Sequence, residues 1–232
     1  MNAIVEILRG VGIFAAGLIA RVGIVLAVML ALMVPVLVLA GAVKLAKAVR
    51  LRLAGYRDAG GLKFRNGLLY APGHTWVAAE GGRLKVGIDD LAQRILPWTV
   101  GVKLAKPGEQ VAEGEPVARI SCGDREACVA SPVSGRVVQV NPEVLAEPTR
   151  IKSESYGRGW LVVIEPLERG WRSLPGGEAA QSWLASEGER LSRFYEEQLG
   201  FAAADGGELI GPPPALLSEP QWKALVKAFL RT

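Results

Sequence analysis

The sequence predicts a mainly β domain that follows an N-terminal transmembrane helix and precedes C-terminal helices. Three observations support this fold class: an uncharged apolar stretch at residues 22–43, short apolar and polar alternations from about residue 62 to 165, and helical apolar spacing after residue 176. We therefore divide the chain into a membrane segment at 1–50, a β domain at 62–168 and a helical extension at 169–232.

The apolar stretch has the length of a transmembrane helix. It lies between Arg21 and Lys44, and at about 1.5 Å per residue its 22 residues span roughly 33 Å, against a hydrocarbon core of about 30 Å. The alternative is a cleaved signal peptide, since residues 40–42 are small. A signal core is typically about 7–15 residues long, however, and is rarely followed by a dense cationic cluster.

Positive charge is concentrated directly after this stretch. Arg9 and Arg21 precede it, whereas five cations follow it: Lys44, Lys47, Arg50, Arg52 and Arg57. The positive-inside rule then predicts a single-pass inner-membrane protein with its C-terminal domain in the cytoplasm. Residues 44–65 carry +6 and residues 66–232 carry −3, so the basic segment suits a bilayer with anionic lipid and gives no argument for nucleic acid.

The remaining composition excludes most enzyme classes. The chain has two cysteines and one histidine, too few for a disulfide-built fold, and it shows neither a Gly-rich phosphate loop nor a metal-ligand spacing. We expect no enzymatic activity, no cofactor, no catalytic residue and no metal ligand.

Two short segments interrupt the β pattern. Residues 55–61 hold three glycines and Asp58 and are predicted to form a hinge. Residues 89–96 (DDLAQRIL) are predicted to form one short helix capped by an aspartate.

An ordered set of motifs runs through the β region, from about residue 69 to 166. In chain order they are APGHTWV (71–77), VGIDDLAQ (86–93), PG (107–108), GEP (114–116), SPVSG (131–135), VN (140–141), EP (147–148) and YGRGWL (156–161). This set resembles the glycine cleavage system H proteins. The resemblance implies a flattened β-barrel, the barrel-sandwich hybrid of lipoyl and biotinyl carriers, with two quasi-symmetric layers.

The resemblance also implies a modification site whose lysine this sequence lacks. In that family a hairpin before the SPVSG-like segment presents a lysine that carries lipoate through an amide. The family spacing places this position on Asp124, and no lysine occurs between Lys106 and Lys152. Arg125 cannot substitute, because a guanidinium stays protonated and is no acylation nucleophile. We instead predict that the tip binds a protein partner, through Cys122, Gly123, Asp124, Arg125, Glu126 and Cys128.

The two cysteines flank this tip. If the turn is centred on Asp124 and Arg125, as the family spacing implies, Cys122 lies opposite Ala127 and Cys128 points to the other sheet face, which disfavours a disulfide. A slightly wider loop would bring the cysteines within bridging reach. Unconnected thiols, a redox-active or strained disulfide, and metal ligation completed by a partner stay open.

Three aromatic or basic rings lie in the motifs. His74 is either a packed, hydrogen-bonded structural residue or a partner-facing one. Trp76 and Trp160 are expected in the core, because aromatic side chains bury large areas in small β-barrels.

Two helices are predicted beyond the resemblance, over residues 177–199 and after a cap at Ser218 with an early Pro220. The last helix places an apolar stripe on one face: Trp222, Leu225, Val226 and Phe229. The stripe docks either on the same domain or on a partner protein or bilayer.

Three functions compete. The first is a membrane-tethered, non-lipoylated adaptor or accessory subunit that binds a cytoplasmic-side protein or membrane complex. The second is a carrier of the glycine cleavage system or a related lipoate-dependent pathway. The third is a dithiol redox module that uses Cys122 and Cys128.

Overall fold

The structure is a computed structural model that describes residues 2–53, 55–99, 101–199 and 214–230. It divides the chain into two compact units, Met1–Ala54 and Gly55–Thr232. The first contains helix α1 (Asn2–Leu53). Within α1, Arg21–Ala46 has a mean hydropathy of 3.0 and is long and apolar enough to cross a membrane, by length and composition. The predicted apolar helix is confirmed, and its insertion in a bilayer stays a prediction.

The second unit combines eleven short strands with five helices in the described residues. The strands are β1 (Tyr56–Ala59), β2 (Leu62–Arg65), β3 (Leu69–Ala71), β4 (Thr75–Glu80), β5 (Arg83–Ile88), β6 (Gly101–Leu104), β7 (Gln110–Val111), β8 (Pro116–Cys122), β9 (Arg125–Ala130), β10 (Gly135–Val140) and β11 (Val162–Pro166). The helices are α2 (Asp90–Ile95), α3 (Pro142–Ala146), α4 (Arg150–Ser153), α5 (Gly177–Leu199) and α6 (Glu219–Leu230), with 3₁₀ turns at Gly170–Ser173 and Pro214–Leu216.

The strands form three antiparallel sheets. Their orders are β3-β4-β5-β11-β10-β7, β6-β8-β9 and β1-β2. The two larger sheets share one apolar core, to which Val117 and Ile120 contribute from β8 and Val137 and Ile164 from β10 and β11. The predicted mainly β fold with C-terminal helices is confirmed, although the hydrogen bonds between the described strands do not close the sheets into a barrel.

The hinge predicted at residues 55–61 is wrong, because this segment forms a β-hairpin. Ala59 pairs with Leu62, and Gly60 and Gly61 take φ angles of 61° and 82°. Such left-handed glycines suit the two-residue turn of a hairpin. The Asp58 carboxylate closes the turn by accepting from the Gly61 N–H at 3.1 Å, so the predicted hinge residues are the turn and one strand of a paired element.

The helix starts follow from their capping residues. Asp89 precedes α2 and accepts a hydrogen bond from the Ala92 N–H at 2.9 Å, as predicted. Ser218 precedes α6, and its own N–H donates to the Gln221 side chain at 2.9 Å. That bond is the reverse half of a capping box. Gly200, predicted to end α5, lies outside the described residues.

Candidate functional site

The site is the hairpin between β8 and β9. Its last strand pair is Cys122 with Arg125, so the turn consists of Gly123 and Asp124, both exposed. Gly123 has a φ of 67°, which suits the first position of a tight hairpin turn. The turn predicted around Asp124 and Arg125 is therefore displaced by one residue, because the glycine allows a tighter turn one position earlier.

The register sends the two thiols to opposite faces of the sheet. Cys122 pairs with Arg125 on the buried face, whereas Cys128 pairs with Arg119 on the outer face. Both cysteines are free, and Cys122 is buried. Burial raises the pKa of the Cys122 thiol to about 11, although the charges of Lys152 and Arg125 partly offset it. Of the three alternatives for this pair, the structure contains the unconnected thiols.

Metal ligation finds no support in the geometry. The described residues contain no group of three or more His, Cys, Asp and Glu side chains that could hold a metal ion. The Cys128 sulfur instead accepts a hydrogen bond from Arg119 Nη1 at 3.4 Å.

Arg125 connects the hairpin to the C-terminal segment. Its guanidinium donates to the Leu217 carbonyl oxygen, its Nε lies 3.5 Å from a Glu219 carboxylate oxygen, and its guanidinium carbon lies 5.5 Å from the centre of the Trp222 ring. Cation–π and ionic contacts of this kind stabilise a partly buried arginine. One face of the tip is thus covered by residues more than ninety positions later in the chain.

The apolar stripe of α6 faces the interior of the same domain. All four residues predicted for a docking helix are buried: Trp222, Leu225, Val226 and Phe229. The helix packs against β9, α2 and α5. The alternative in which this stripe docks on its own domain is the one that the structure contains, so the stripe is not available to an external partner in this conformation.

The outer side of the tip remains polar and exposed. Glu126 Oε1 lies 3.1 Å from Arg119 Nη1, and both side chains face solvent. Asp124 takes part in none of the ion pairs between described residues. The exposed part of the predicted tip is therefore Gly123, Asp124 and Glu126. Cys122 is buried, and Arg125 contacts α6 and the residue before its cap.

His74 lies in the interior and has two carboxylate neighbours. Its Nδ1 is 2.9 Å from Asp89 Oδ2 and its Nε2 is 3.3 Å from Glu187 Oε2. Its ring stacks on Trp183 with centroids 5.2 Å apart. Burial alone would lower the pKa of His74, but the two carboxylates outweigh it and raise the pKa to about 9. Of the two alternatives, the structure contains the packed, hydrogen-bonded histidine.

The two motif tryptophans differ in burial. Trp76 is in the core and donates to the Ser155 carbonyl oxygen at 2.9 Å. Trp160 is half-buried, and the Lys85 ammonium lies 6.0 Å from its ring centre. The core placement is confirmed for Trp76 and holds only in part for Trp160.

Sequence reasoning missed Lys152, a lysine close to the hairpin in space. Its ammonium donates to the carbonyl oxygens of Leu96 and Pro97, and burial lowers its pKa. Pro97 precedes β6, whose Gly101 pairs with Ser121 of β8, and the charge of Lys152 acts on the Cys122 thiol of the same strand. A helical residue about thirty positions beyond the turn gives no local signal of this proximity.

These features define a small, mainly β domain that exposes the turn between β8 and β9. Residues 68–186 match the family model described as glycine cleavage H-protein. Since this match covers about half of the chain, the chain belongs to the glycine cleavage H-protein family.

Two sequence relatives agree with this assignment. The chain is 39% identical over 101 residues to the mitochondrial glycine cleavage system H protein of Pisum sativum, with 44% of this chain and 61% of that protein covered. It is 36% identical over 115 residues to a probable glycine cleavage system H protein of Aeropyrum pernix, with 49% and 80% covered. A crystal structure of the H protein from Mycobacterium marinum has 27% identity and a TM-score of 0.47, with 53% of this chain and 99% of that chain covered.

Proposed function

We propose that this chain is a membrane-tethered, non-lipoylated member of the H-protein family that acts as a non-catalytic adaptor or accessory subunit of a membrane-associated complex. The observation that carries the proposal is the hairpin turn itself, which consists of Gly123 and Asp124. An acyl acceptor needs a primary amine at this exposed position, and neither residue supplies one.

The neighbouring cations do not replace the missing amine. Arg125 follows the turn directly, but its guanidinium contacts Leu217, Glu219 and Trp222. Lys152 has the required chemistry, but it is half-buried in α4 and hydrogen-bonded to two carbonyl groups. An acyl arm on Lys152 would have to break both bonds and could not swing from a turn.

The N-terminal helix supports a tether at the cytoplasmic face of the inner membrane. Its candidate span, Arg21–Ala46, is followed by further cations before the first strand. Lysines and arginines beside a span favour the cytoplasmic side and anionic lipid headgroups. We therefore place the β domain in the cytoplasm, where a membrane complex can bind it.

The two alternative functions have less support. A lipoate carrier lacks its acceptor at the turn. A dithiol module needs two thiols within bridging reach, and the register holds Cys122 and Cys128 on opposite faces. A thiol with a pKa of about 11 also carries little thiolate at neutral pH.

An intact-mass measurement on the full chain from its native cells tests the proposal. We expect the unmodified mass, whereas lipoylation adds about 188 Da and a disulfide removes about 2 Da. A lipoylated species as the main product would reject the adaptor in favour of the carrier. A main species lighter by two hydrogens would favour the redox module.

Protease accessibility tests the tether. A protease added to right-side-out spheroplasts is expected to leave the β domain intact and to digest it after lysis. Digestion before lysis would place the domain on the other side of the membrane, and recovery of the full chain in the soluble fraction would remove the tether altogether.

A further inference from the structure

Exposed apolar side chains of the second unit concentrate near the hairpin. Its described residues include four large exposed hydrophobic side chains: Trp98, Leu145, Leu167 and Leu216. Single exposed apolar residues are common on protein surfaces and need no explanation. Two of these four, Trp98 and Leu216, however, lie within a few residues of positions that contact the β8–β9 hairpin.

Trp98 lies on the β6 side of the hairpin. Its neighbour Pro97 accepts a hydrogen bond at 2.8 Å from Lys152, whose charge acts on the Cys122 thiol at the end of β8. The strand that follows Trp98 begins at Gly101, which pairs with Ser121. Both relationships place the Trp98 loop beside the last residues before the turn.

Leu216 lies on the β9 side. Its neighbour Leu217 accepts a hydrogen bond from Arg125, the first residue after the turn. The Trp98 loop therefore approaches the hairpin along β6 and β8, and the segment that holds Leu216 approaches it through Arg125. Trp98 is 62% exposed and Leu216 is 75% exposed, so both apolar groups face solvent.

This combination has the character of a protein-binding surface. Tryptophan is among the residue types most enriched in binding hot spots, where a central aromatic group fills a pocket of the partner. The contacts of Arg125 hold the turn against α6, and a surface fixed before binding loses less conformational entropy on association.

The charges at the tip favour a protein over a lipid surface. Asp124 has no ion-pair partner among the described residues, whereas the exposed Glu126 beside it pairs with Arg119 at 3.1 Å. Residues 66–232 carry a net charge of −3. Anionic headgroups would repel the Asp124 carboxylate, whereas a basic side chain of a protein would attract it.

We propose that Trp98, Leu216 and Asp124 form the surface on which the adaptor binds its partner, a folded protein with an apolar pocket bordered by a basic side chain. This inference rests on the proposed adaptor function and names the surface that performs it. Trp98 anchors the contact, and Asp124 selects for the basic border.

Site-specific photo-crosslinking in the full chain tests the surface. A benzoylphenylalanine replaces Trp98, Leu216 or, as a control, Leu167, which is 67% exposed and follows β11 in the other sheet. After irradiation of native cells, we expect positions 98 and 216 to give one and the same protein adduct, identified by mass spectrometry, and position 167 not to give it. In the position-216 variant, Asp124→Lys should lower the adduct yield at least fivefold, and Asp124→Asn should lower it less.

The proposed binding surface is wrong if position 167 gives the same adduct, or if positions 98 and 216 give different adducts. It is also wrong if the adducts contain lipid or a second copy of the chain, or if Asp124→Lys does not change the adduct yield. The surface and the adaptor function fail separately, because lipoate in the intact mass rejects the function whatever the crosslinks show. An unmodified mass together with the same crosslinked adduct at all three positions would reject the proposed surface and leave the adaptor function standing.

Discussion

The imidazole of His74 and the carboxylate of Glu187 lie 3.3 Å apart in the folded protein, although 113 positions separate them in the chain. The contact joins the turn before β4 to helix α5. Arg190 Nη2 lies 2.6 Å from the same carboxylate oxygen, Oε2. The helical extension is therefore attached to the β domain by an ionic contact as well as by apolar packing.

This contact predicts a loss of stability at alkaline pH. The pKa of His74 is about 9 in the folded state and about 6.5 in an unfolded chain. Since the folded pKa is the higher one, the stabilisation is complete below about pH 6.5, declines as pH rises, and is lost above about pH 9. The free energy of urea unfolding, compared between wild type and His74→Gln from pH 6 to 10, should show the difference shrinking across this window.

Two glutamates of α5 provide the matched variants. Glu187→Gln removes one of the two carboxylates that raise the pKa of His74. The stabilisation by charged His74 should therefore be lost at a lower pH than in the wild type. Glu189→Gln changes an exposed glutamate of the same helix and should leave the window unchanged. Equal pH dependence in all four proteins would contradict a charged His74.

The β1–β2 hairpin is the first element of the second compact unit, Gly55–Thr232. A fragment that begins at Gly55 should fold without the N-terminal helix, whereas one that begins at Leu62 lacks β1 and leaves the β2 edge unpaired. It also loses the bond from Gln181 to the Asp58 carbonyl oxygen. We expect the shorter fragment to be less stable by about 1–3 kcal/mol in urea unfolding. Equal midpoints for the two fragments would show that β1 is dispensable.

The opposite faces of the two cysteines predict unequal reactivity. With Cys122→Ser, the remaining Cys128 should react promptly with a maleimide at neutral pH. With Cys128→Ser, the buried Cys122 should react at least tenfold more slowly until urea is added. Oxidation of the wild type with diamide should leave no intramolecular disulfide in the intact mass, and rapid formation of one would contradict the register.

The identity of the turn residue predicts the outcome of restoring a lysine. Asp124→Lys returns a primary amine to the exposed turn and should cost less than about 0.5 kcal/mol, as for most surface changes. We still expect no lipoate from a co-expressed ligase, because Arg125 directly after the turn is held by Leu217, Glu219 and Trp222, which restricts how the turn can enter the ligase. An authentic lipoyl domain serves as the positive control, and a mass gain of about 188 Da on the variant would refute the expectation.

Local patterns predicted those parts of the fold that depend on neighbouring residues. Asp89 caps α2 because its side chain reaches an N–H three residues later, and period-two alternation placed strands such as β4, β8 and β10. The hinge at residues 55–61 failed because a glycine pair suits both a flexible link and a tight turn. Only the apolar residues on both sides, Ala59 and Leu62, distinguish the two, since they are buried in the fold.

The site was predictable in position and not in its contacts. Family spacing located the hairpin to within one residue. The cation–π contact between Arg125 and Trp222, however, joins segments that are distant in the chain. The stripe on α6 showed that an apolar face exists, and amphipathic spacing cannot say which surface covers that face. Lys152 and Glu187 likewise depend on tertiary packing, which a single sequence does not reveal.

The β1–β2 hairpin also determines how the protein responds to mechanical tension. A pull on the chain between α1 and the domain enters at Tyr56, whose partner Arg65 lies at the far end of β2. The strand pairs would then open one after another, from Tyr56 toward the Gly60–Gly61 turn, and each released residue adds about 3.3 Å of slack. Three of the four β1 residues are exposed or half-buried, whereas Leu62 and Phe64 of β2 are buried in the core, so we expect β1 to detach before the hairpin at Gly123 and Asp124 is disturbed.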